Sequence, residues 1–301
     1  MRHQYHPLGF EGSRIAQGFM RADTWGMTAQ ERLAFIEQCL LAGVTTFDHA
    51  DVYGNYQCES LFGEALLLAP SLRDKLQIVA KCGVRQPSIN RPDIAYHSYD
   101  LSFKYIVASV EQSLINLNTD YLDALLIHRP SPLMDADEVA RAFEHLQIQG
   151  KVSYFGVANF SAHQFDNLQS RLDVPLIINQ VELSVLALGA LQDGRLDHVQ
   201  QHAVTPMAWS PLAGGRLFYD QDDLTRRVRR VMTEMVATME GVTLTQLALA
   251  WLLRHPAAIC PVIGSGDIER VMASVAAINI KLTDDQWFAI WCAATGAPVT
   301  I

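Results

Sequence analysis

Short runs rich in β-branched and aliphatic residues alternate along this chain with segments whose apolar positions recur every three or four residues. The runs Val44 to Asp48, Leu76 to Lys81, Leu122 to His128, Ser153 to Ala158, Leu176 to Gln180, Thr205 to Trp209 and Cys260 to Ile263 predict strands. A further, first strand is expected around Ile15 to Met20. Helical spacing fills the intervals at Ala29 to Leu41, Glu59 to Leu68, Phe103 to Leu117, Asp137 to Gln149, Ala162 to Leu172 and Leu224 to Met239. Strand followed by helix throughout predicts a parallel sheet with helical crossovers. No Pro- or Ser-rich linker interrupts the chain, so residues 1–301 are read as a single α/β domain, a (β/α)8 TIM barrel. Two more helical segments, Thr243 to Arg254 and Thr283 to Ala294, exceed the eightfold count and are expected as additional C-terminal helices over an end or flank of the barrel.

Composition narrows the class of function. Half of the 301 residues are hydrophobic and 18% are charged, enough apolar material for a large core and too little charge for a disordered chain. A net charge of -9 argues against nucleic acid or an anionic membrane as partner, so any phosphate must be met by local basic groups. Five cysteines at irregular spacing, without C-x-x-C, suggest neither a disulfide framework nor a zinc site and fit a reducing cytoplasm. The polar start and the lack of a run of about 18 apolar residues predict a protein neither exported nor membrane-spanning.

Chemistry gathers at the carboxyl ends of the expected strands, where barrels of this kind hold their active sites. The segment G-V-T-T-F-D-H-A-D-V-Y-G carries Asp48 and Tyr53 after the second strand, Lys81 ends the third, and His128 ends the fourth. Each alone has an ordinary explanation: a helix-capping Asp, a packed Tyr, a rim lysine reaching for solvent, a core histidine satisfied by backbone. Together they form a proton-transfer set. An ammonium at the end of the apolar run I-V-A-K needs a partner, and Asp48 is the one available. The lysine is expected to lower the phenol toward neutrality, while the imidazole donates to the same substrate oxygen. The long connections Arg85 to Asp100, Leu183 to Leu196 and Ser210 to Asp223 are where such a barrel is expected to keep its chemistry. Loops near Phe19 to Trp25, Arg85 to Asp100 and Leu183 to Ala190 are expected to shape the substrate pocket. Metal ligation is not expected. His198 and His202 have helical i, i+4 spacing but lack the intervening glutamate of H-E-x-x-H, and they read as a solvated helix face.

The segments D-H-A-D-V-Y-G, V-A-K, L-L-I-H-R-P, G-K-V-S-Y-F-G-V-A-N-F, N-Q-V-E and W-S-P-L resemble the aldo-keto reductase superfamily, from about Ile15 to Ala294, and within it a bacterial oxidoreductase subgroup. The resemblance implies a (β/α)8 barrel, NADPH as cofactor and reversible reduction of an aldehyde or ketone. It makes Tyr53 the general acid, Lys81 and Asp48 its tuners, and His128 the group that orients the carbonyl. It also assigns Asn159 and Gln180 to the nicotinamide carboxamide, and it puts Trp209 on the nicotinamide ring where many members have tyrosine. Ser210, Pro211 and Leu212 follow Trp209, and Gly264, Ser265, Gly266 and Arg270 would take the phosphates, Arg270 the 2'-phosphate of NADPH. Ala158 and Gly264 stand where members commonly have serine and lysine. A rival within the same fold is a nicotinamide-binding regulatory or redox-sensing protein with little turnover. Substrate identity and oligomeric state are not encoded in these motifs.

Overall fold

A computed structural model describes residues 2–7 and 9–299. Eight parallel strands close into a barrel in chain order: β1 Ala16–Gly18, β2 Thr46–Asp48, β3 Gln77–Cys82, β4 Leu122–Ile127, β5 Val152–Ala158, β6 Leu176–Glu182, β7 Thr205–Trp209 and β8 Cys260–Ile263. Both faces of such a sheet are covered, which is why the strands read as nearly continuous apolar runs. β3, for instance, is buried at every position after Gln77.

Helices α1 Ala29–Leu41, α2 Cys58–Leu68, α3 Phe103–Leu117, α4 Ala136–Ile148, α5 Ala162–Gln169 and α6 Arg195–Gln201 follow β1 to β6 in turn. α1 and α5 begin with capping boxes, Thr28 with Glu31 and Ser161 with Gln164, in which side chain and backbone satisfy each other's free groups. The same device starts α8, Leu244–Leu253, and α10, Asp284–Thr295. Between these lie α7, Asp223–Val236, and α9, Ile268–Ala276.

The assignment of helices to the barrel differs from the expectation in one respect. The segment expected as an extra helix, now α8, is the regular crossover from β7 to β8, and residues Leu247 to Leu252 within it are all buried. The additional pair is α7 and α10, which pack on each other. Periodicity cannot separate the two cases, because α8 is apolar nearly all round, as a helix covered on both sides must be. The loop expected from Leu183 to Leu196 also contains a short helix at Gly189–Gln192 and the first residues of α6.

An antiparallel hairpin, Arg2–Gln4 with Glu11–Ser13, closes the amino-terminal end of the barrel. Its Tyr5 and Phe10 pack into the interior with Ala16, Val79, Ala124, Leu126, Ile178, Met207, Cys260 and Val262. Alternation along each strand then decides what faces inward one layer higher. Two residues beyond Val79 is Lys81, beyond Leu126 is His128, beyond Ile178 is Gln180, and beyond Met207 is Trp209. The chemistry-bearing residues are therefore the next layer of a packed interior. All five cysteines are free thiols, and among the described residues no helix is long and apolar enough to cross a membrane.

Candidate active site

The barrel ladder continues past the strand ends and holds the site's backbone. His128 N donates to Cys82 O at 2.9 Å, Asn159 N to Gln180 O at 2.7 Å, and Asp51 N to Lys81 O at 3.1 Å. Tyr53 is presented by a tight left-handed turn in which Gly54, Asn55 and Tyr56 have φ of 55°, 54° and 69°. Asn159 and Ser210 also adopt positive φ, 64° and 50°. Left-handed backbone at residues other than glycine carries strain and gathers at functional loops.

Lys81 Nζ donates to Asp48 Oδ1 at 2.5 Å, with both side chains almost wholly buried. Gln180 Nε2 donates to the same oxygen at 2.7 Å. An ion pair removed from water is costly unless its remaining lone pairs and protons are satisfied, and Gln180 supplies part of that requirement. Burial lowers the Lys81 ammonium below its ordinary range, opposed first by Asp48 and then by Asp51 and Glu59. Lys81 Nζ lies 5.2 Å from the centre of the Tyr53 ring, and the Tyr53 and His128 rings meet edge to face at 5.9 Å.

The phenol is tuned differently from the expectation. Burial and then the Asp48 carboxylate push Tyr53 well above 10, and the cation that opposes them most is Arg129. The effect of the Lys81 cation near the ring is largely offset by its Asp48 partner. Tyr53 therefore holds its proton throughout the physiological range. His128 is lowered to about 3 by burial, then by Lys81 and Arg129, so its ring is neutral. Its Nδ1 is buried without a partner. A buried lone pair costs less than a buried unpaired N–H, which puts the imidazole proton on Nε2.

Asn159 Nδ2 donates to His128 O at 3.3 Å, and its Oδ1 accepts from Trp209 Nε1 at 2.9 Å. Arg129 lies over the outer indole, Cζ 5.5 Å from the ring centre. The amides at Asn159 and Gln180 thus brace neighbouring residues. Asn159 keeps one N–H and an acceptor lone pair, while Gln180 Nε2 also donates weakly to Met207 Sδ at 3.9 Å, which leaves its carbonyl oxygen as the group best placed to meet a carboxamide. Ser210, Pro211 and Leu212 continue directly from the Trp209 corner, where Ala213 N donates to Ser210 O at 2.7 Å.

The expected phosphate residues lie at the exit of β8. Gln17 Nε2, from β1, donates to Ser265 O at 3.0 Å and ties this loop to the barrel. A Cβ at Gly266 would lie 2.6 Å from the Trp25 ring, whereas one at Gly264 would meet nothing within 4 Å. Gly266 is needed for close packing, and Gly264 leaves open space. The amino terminus of α9 is capped by Asp267, whose Oδ1 accepts from Glu269 N at 2.9 Å. Arg270, 75% exposed, sits 3.5 Å from the same carboxylate. An anion arriving here has to share these groups with Asp267.

Arg129, Glu59 and Asp51 were not singled out from sequence. Arg129 stands inside L-L-I-H-R-P, next to His128, where a charged residue after a buried strand was the available signal. Glu59, 2% exposed on α2, is raised to about 7 by burial, and Asp51 is raised well above its ordinary value by burial and by Glu59. His49 is fully buried between Phe19 and Phe62, with ring centroids 5.1 and 4.5 Å away, and is lowered to about 3.

The model of the aldo/keto reductase family matches residues 14–292. Oxidoreductase YdhF of Escherichia coli is 50% identical over 293 residues, covering 97% of each chain. A 6-dehydroglucose reductase of Agrobacterium fabrum is 41% identical, covering 96% of each. Among solved structures, the thermostable aldo-keto reductase Tm1743, in complex with the inhibitor epalrestat, superposes with a TM-score of 0.78 at 25% identity, covering 98% of this chain and 99% of that one. With a closed eight-stranded parallel barrel, Asp48, Lys81 and Tyr53 gathered at its carboxyl end, and matches along almost its whole length, the chain belongs to the aldo/keto reductase family and is an NAD(P)H-dependent oxidoreductase.

Proposed function

We propose that the protein reduces an aldehyde or ketone to an alcohol using NADPH, with Tyr53 as the general acid. The observation that carries this reading is the chain Gln180–Asp48–Lys81 beneath the Tyr53 ring, with a neutral His128 at its edge. When bound across the strand ends, the nicotinamide supplies the hydride. Asn159 and Gln180 would hold its carboxamide, and Trp209 would stack on its ring. The loops Ser210–Pro211–Leu212 and Gly264–Ser265–Gly266 would hold the phosphates, with Arg270 on the 2'-phosphate.

The residues of this chain would then act on the carbonyl oxygen. His128 donates from Nε2 and fixes the carbonyl in line with Tyr53. Tyr53 keeps its proton until negative charge develops on that oxygen, then transfers it from its hydroxyl. Arg129 and Lys81 stabilise the resulting phenolate, and solvent restores the proton. The Lys81–Asp48 pair also keeps a cation fixed near the ring without reorganisation during the step.

A relative named for 6-dehydroglucose reduction makes carbonyls on polyhydroxylated carbon chains a suitable part of the substrate panel. The free thiols fit action in the reducing cytoplasm. The test is a panel of aldehydes, ketones and oxidised sugars, followed by loss of reduced-nicotinamide absorbance with NADPH and NADH, for wild type, Tyr53→Phe and Arg270→Ala. General acid catalysis is worth roughly 100- to 10,000-fold, so Tyr53→Phe should keep under about a tenth of the activity with cofactor affinity nearly unchanged. Arg270→Ala should weaken NADPH by roughly 10- to 150-fold and spare NADH. Turnover by Tyr53→Phe near the wild-type rate would refute the acid assignment. Equal effects of Arg270→Ala on both cofactors would refute the NADPH preference.

A further inference from the structure

On the outside of the barrel, α5 and α6 bring together three side chains with no part in the chemistry above. His198 and His202 lie one turn apart at the end of α6, and Asp166 faces them from α5. The expectation of a solvated face fails for His198, whose side chain is 9% exposed. His198 Nε2 stands 2.7 Å from Asp166 Oδ1, and His202 Nε2 stands 3.6 Å from the same oxygen. The two imidazoles are 4.5 Å apart, and Phe165 closes one side with ring centroids 5.0 and 6.0 Å from them.

An aspartate–histidine ion pair explains the shorter distance but not the longer one. His202 Nε2 is beyond hydrogen-bond reach of the oxygen it faces, although at 39% exposure it has room to turn toward water. Convergence of two Nε2 atoms on one carboxylate oxygen is an arrangement that can hold a metal ion, provided His198 moves its proton from Nε2 to Nδ1, which is buried without a partner. Zinc bonds to imidazole nitrogen and carboxylate oxygen are about 2.0–2.2 Å long, so donors on a tetrahedral ion stand about 3.3 Å apart. The observed 2.7 and 3.6 Å bracket that separation, and all three ligand atoms lie within 4.8 Å of one another.

We propose that Asp166, His198 and His202 form a binding site for a divalent transition-metal ion of the zinc class, clipping α5 to α6. Two imidazoles and one carboxylate select zinc, nickel or copper over magnesium and calcium, which prefer oxygen donors. Three protein ligands leave a coordination position for water. The partial exposure of Asp166 and His202 gives an ion a route in. The clip would join the helices that follow β5 and β6, the strands ending near Asn159 and Gln180. It stands apart from the Tyr53 site and does not depend on how that site works.

The test is equilibrium dialysis against zinc chloride, paired with thermal melts, on the full chain as wild type, Asp166→Asn, His202→Gln and Cys292→Ser. The last controls for zinc captured by the partly exposed thiol. Wild type and Cys292→Ser should bind about one zinc per chain. At free zinc about a hundredfold above Kd, Tm should rise by about 4 °C for a chain of this length. Asp166→Asn and His202→Gln should each bind at least about tenfold more weakly, with the thermal shift reduced to match. His202 is at the exposed end of its helix, so His202→Gln carries the test if Asp166→Asn fails to fold. Equal zinc binding by wild type and His202→Gln would overturn the proposal, as would the absence of saturable binding below about 1 mM, leaving an ion pair only.

Discussion

Replacing Glu59 by glutamine should stabilise the protein above neutral pH and leave it unchanged in mild acid. Glu59 is 2% exposed, its Oε2 accepts a long bond, 3.3 Å from Asn116 Nδ2, its Oε1 has no partner, and the Ser113 and Asn116 side chains beside it only partly offset its burial. Burial therefore holds the carboxyl protonated up to about 7, against 4.5 for an ordinary glutamate. The folded pKa is the higher one. Between pH 4.5 and 7 the unfolded chain releases this proton while the folded chain keeps it, so stability falls as pH rises through that window. At 1.36 kcal/mol for each tenfold change in acidity, the loss is about 3 kcal/mol, complete just above pH 7. Glutamine cannot ionise and preserves the shape of the neutral acid, so it removes the loss. Urea denaturation of wild type and Glu59→Gln from pH 4.5 to 8.5 measures it, and in the difference between the two proteins the contributions of His49 and His128 cancel. The variant should match wild type within about 1 kcal/mol at pH 4.5 and exceed it by about 3 kcal/mol at pH 8. Parallel curves would mean that Glu59 is ionised in the fold and that the pocket beneath Lys81 is better solvated than its packing implies.

The same method applies to His49, for which the sign is reversed. Its pKa is lowered from 6.5 to about 3, so the stability of the neutral form is complete above pH 6.5 and lost as pH falls; His49→Leu should reduce the loss between pH 6.5 and 4 by about 3 kcal/mol, and an unchanged acid limb would refute this. Gly266→Ala drives a methyl group into the Trp25 ring and should cost about 1–3 kcal/mol, whereas Gly264→Ala should be neutral or slightly stabilising; thermal melts in which the two variants coincide would contradict the packing at the exit of β8. Gln180→Leu removes one of two donors to Asp48 Oδ1 and should lower stability by about 1.5–3 kcal/mol, together with a lower kcat; an unaltered unfolding midpoint would show that Lys81 alone satisfies the carboxylate.

The sequence by itself determined the strands, most of the helices and their alternation, because these depend on periodicity and on capping residues a few positions apart. The S/T-x-x-E/Q patterns at Thr28, Ser161, Thr243 and Thr283, local too though the apolar spacing does not report them, form capping boxes in the structure. Placement of Asp48, Lys81 and His128 at strand ends was equally local, since a period of two carries an inward apolar residue to an inward functional one. Tertiary structure alone decided whatever depends on residues far apart in the chain. Gln180 reaches Asp48 across 132 positions, and Asp166 meets His198 across 32. Neither contact has a sequence signature, because the barrel interior brings Gln180 to Asp48 and the packing of neighbouring helices brings Asp166 to His198. Protonation belongs to the same class: Glu59 and His49 read as ordinary titratable groups, and Tyr53 as one lowered by Lys81, until burial withdraws the water that would stabilise their charged forms. The exchange of roles between α7 and α8 has the same origin, since periodicity reports which face of a helix is apolar but not which neighbour will cover it.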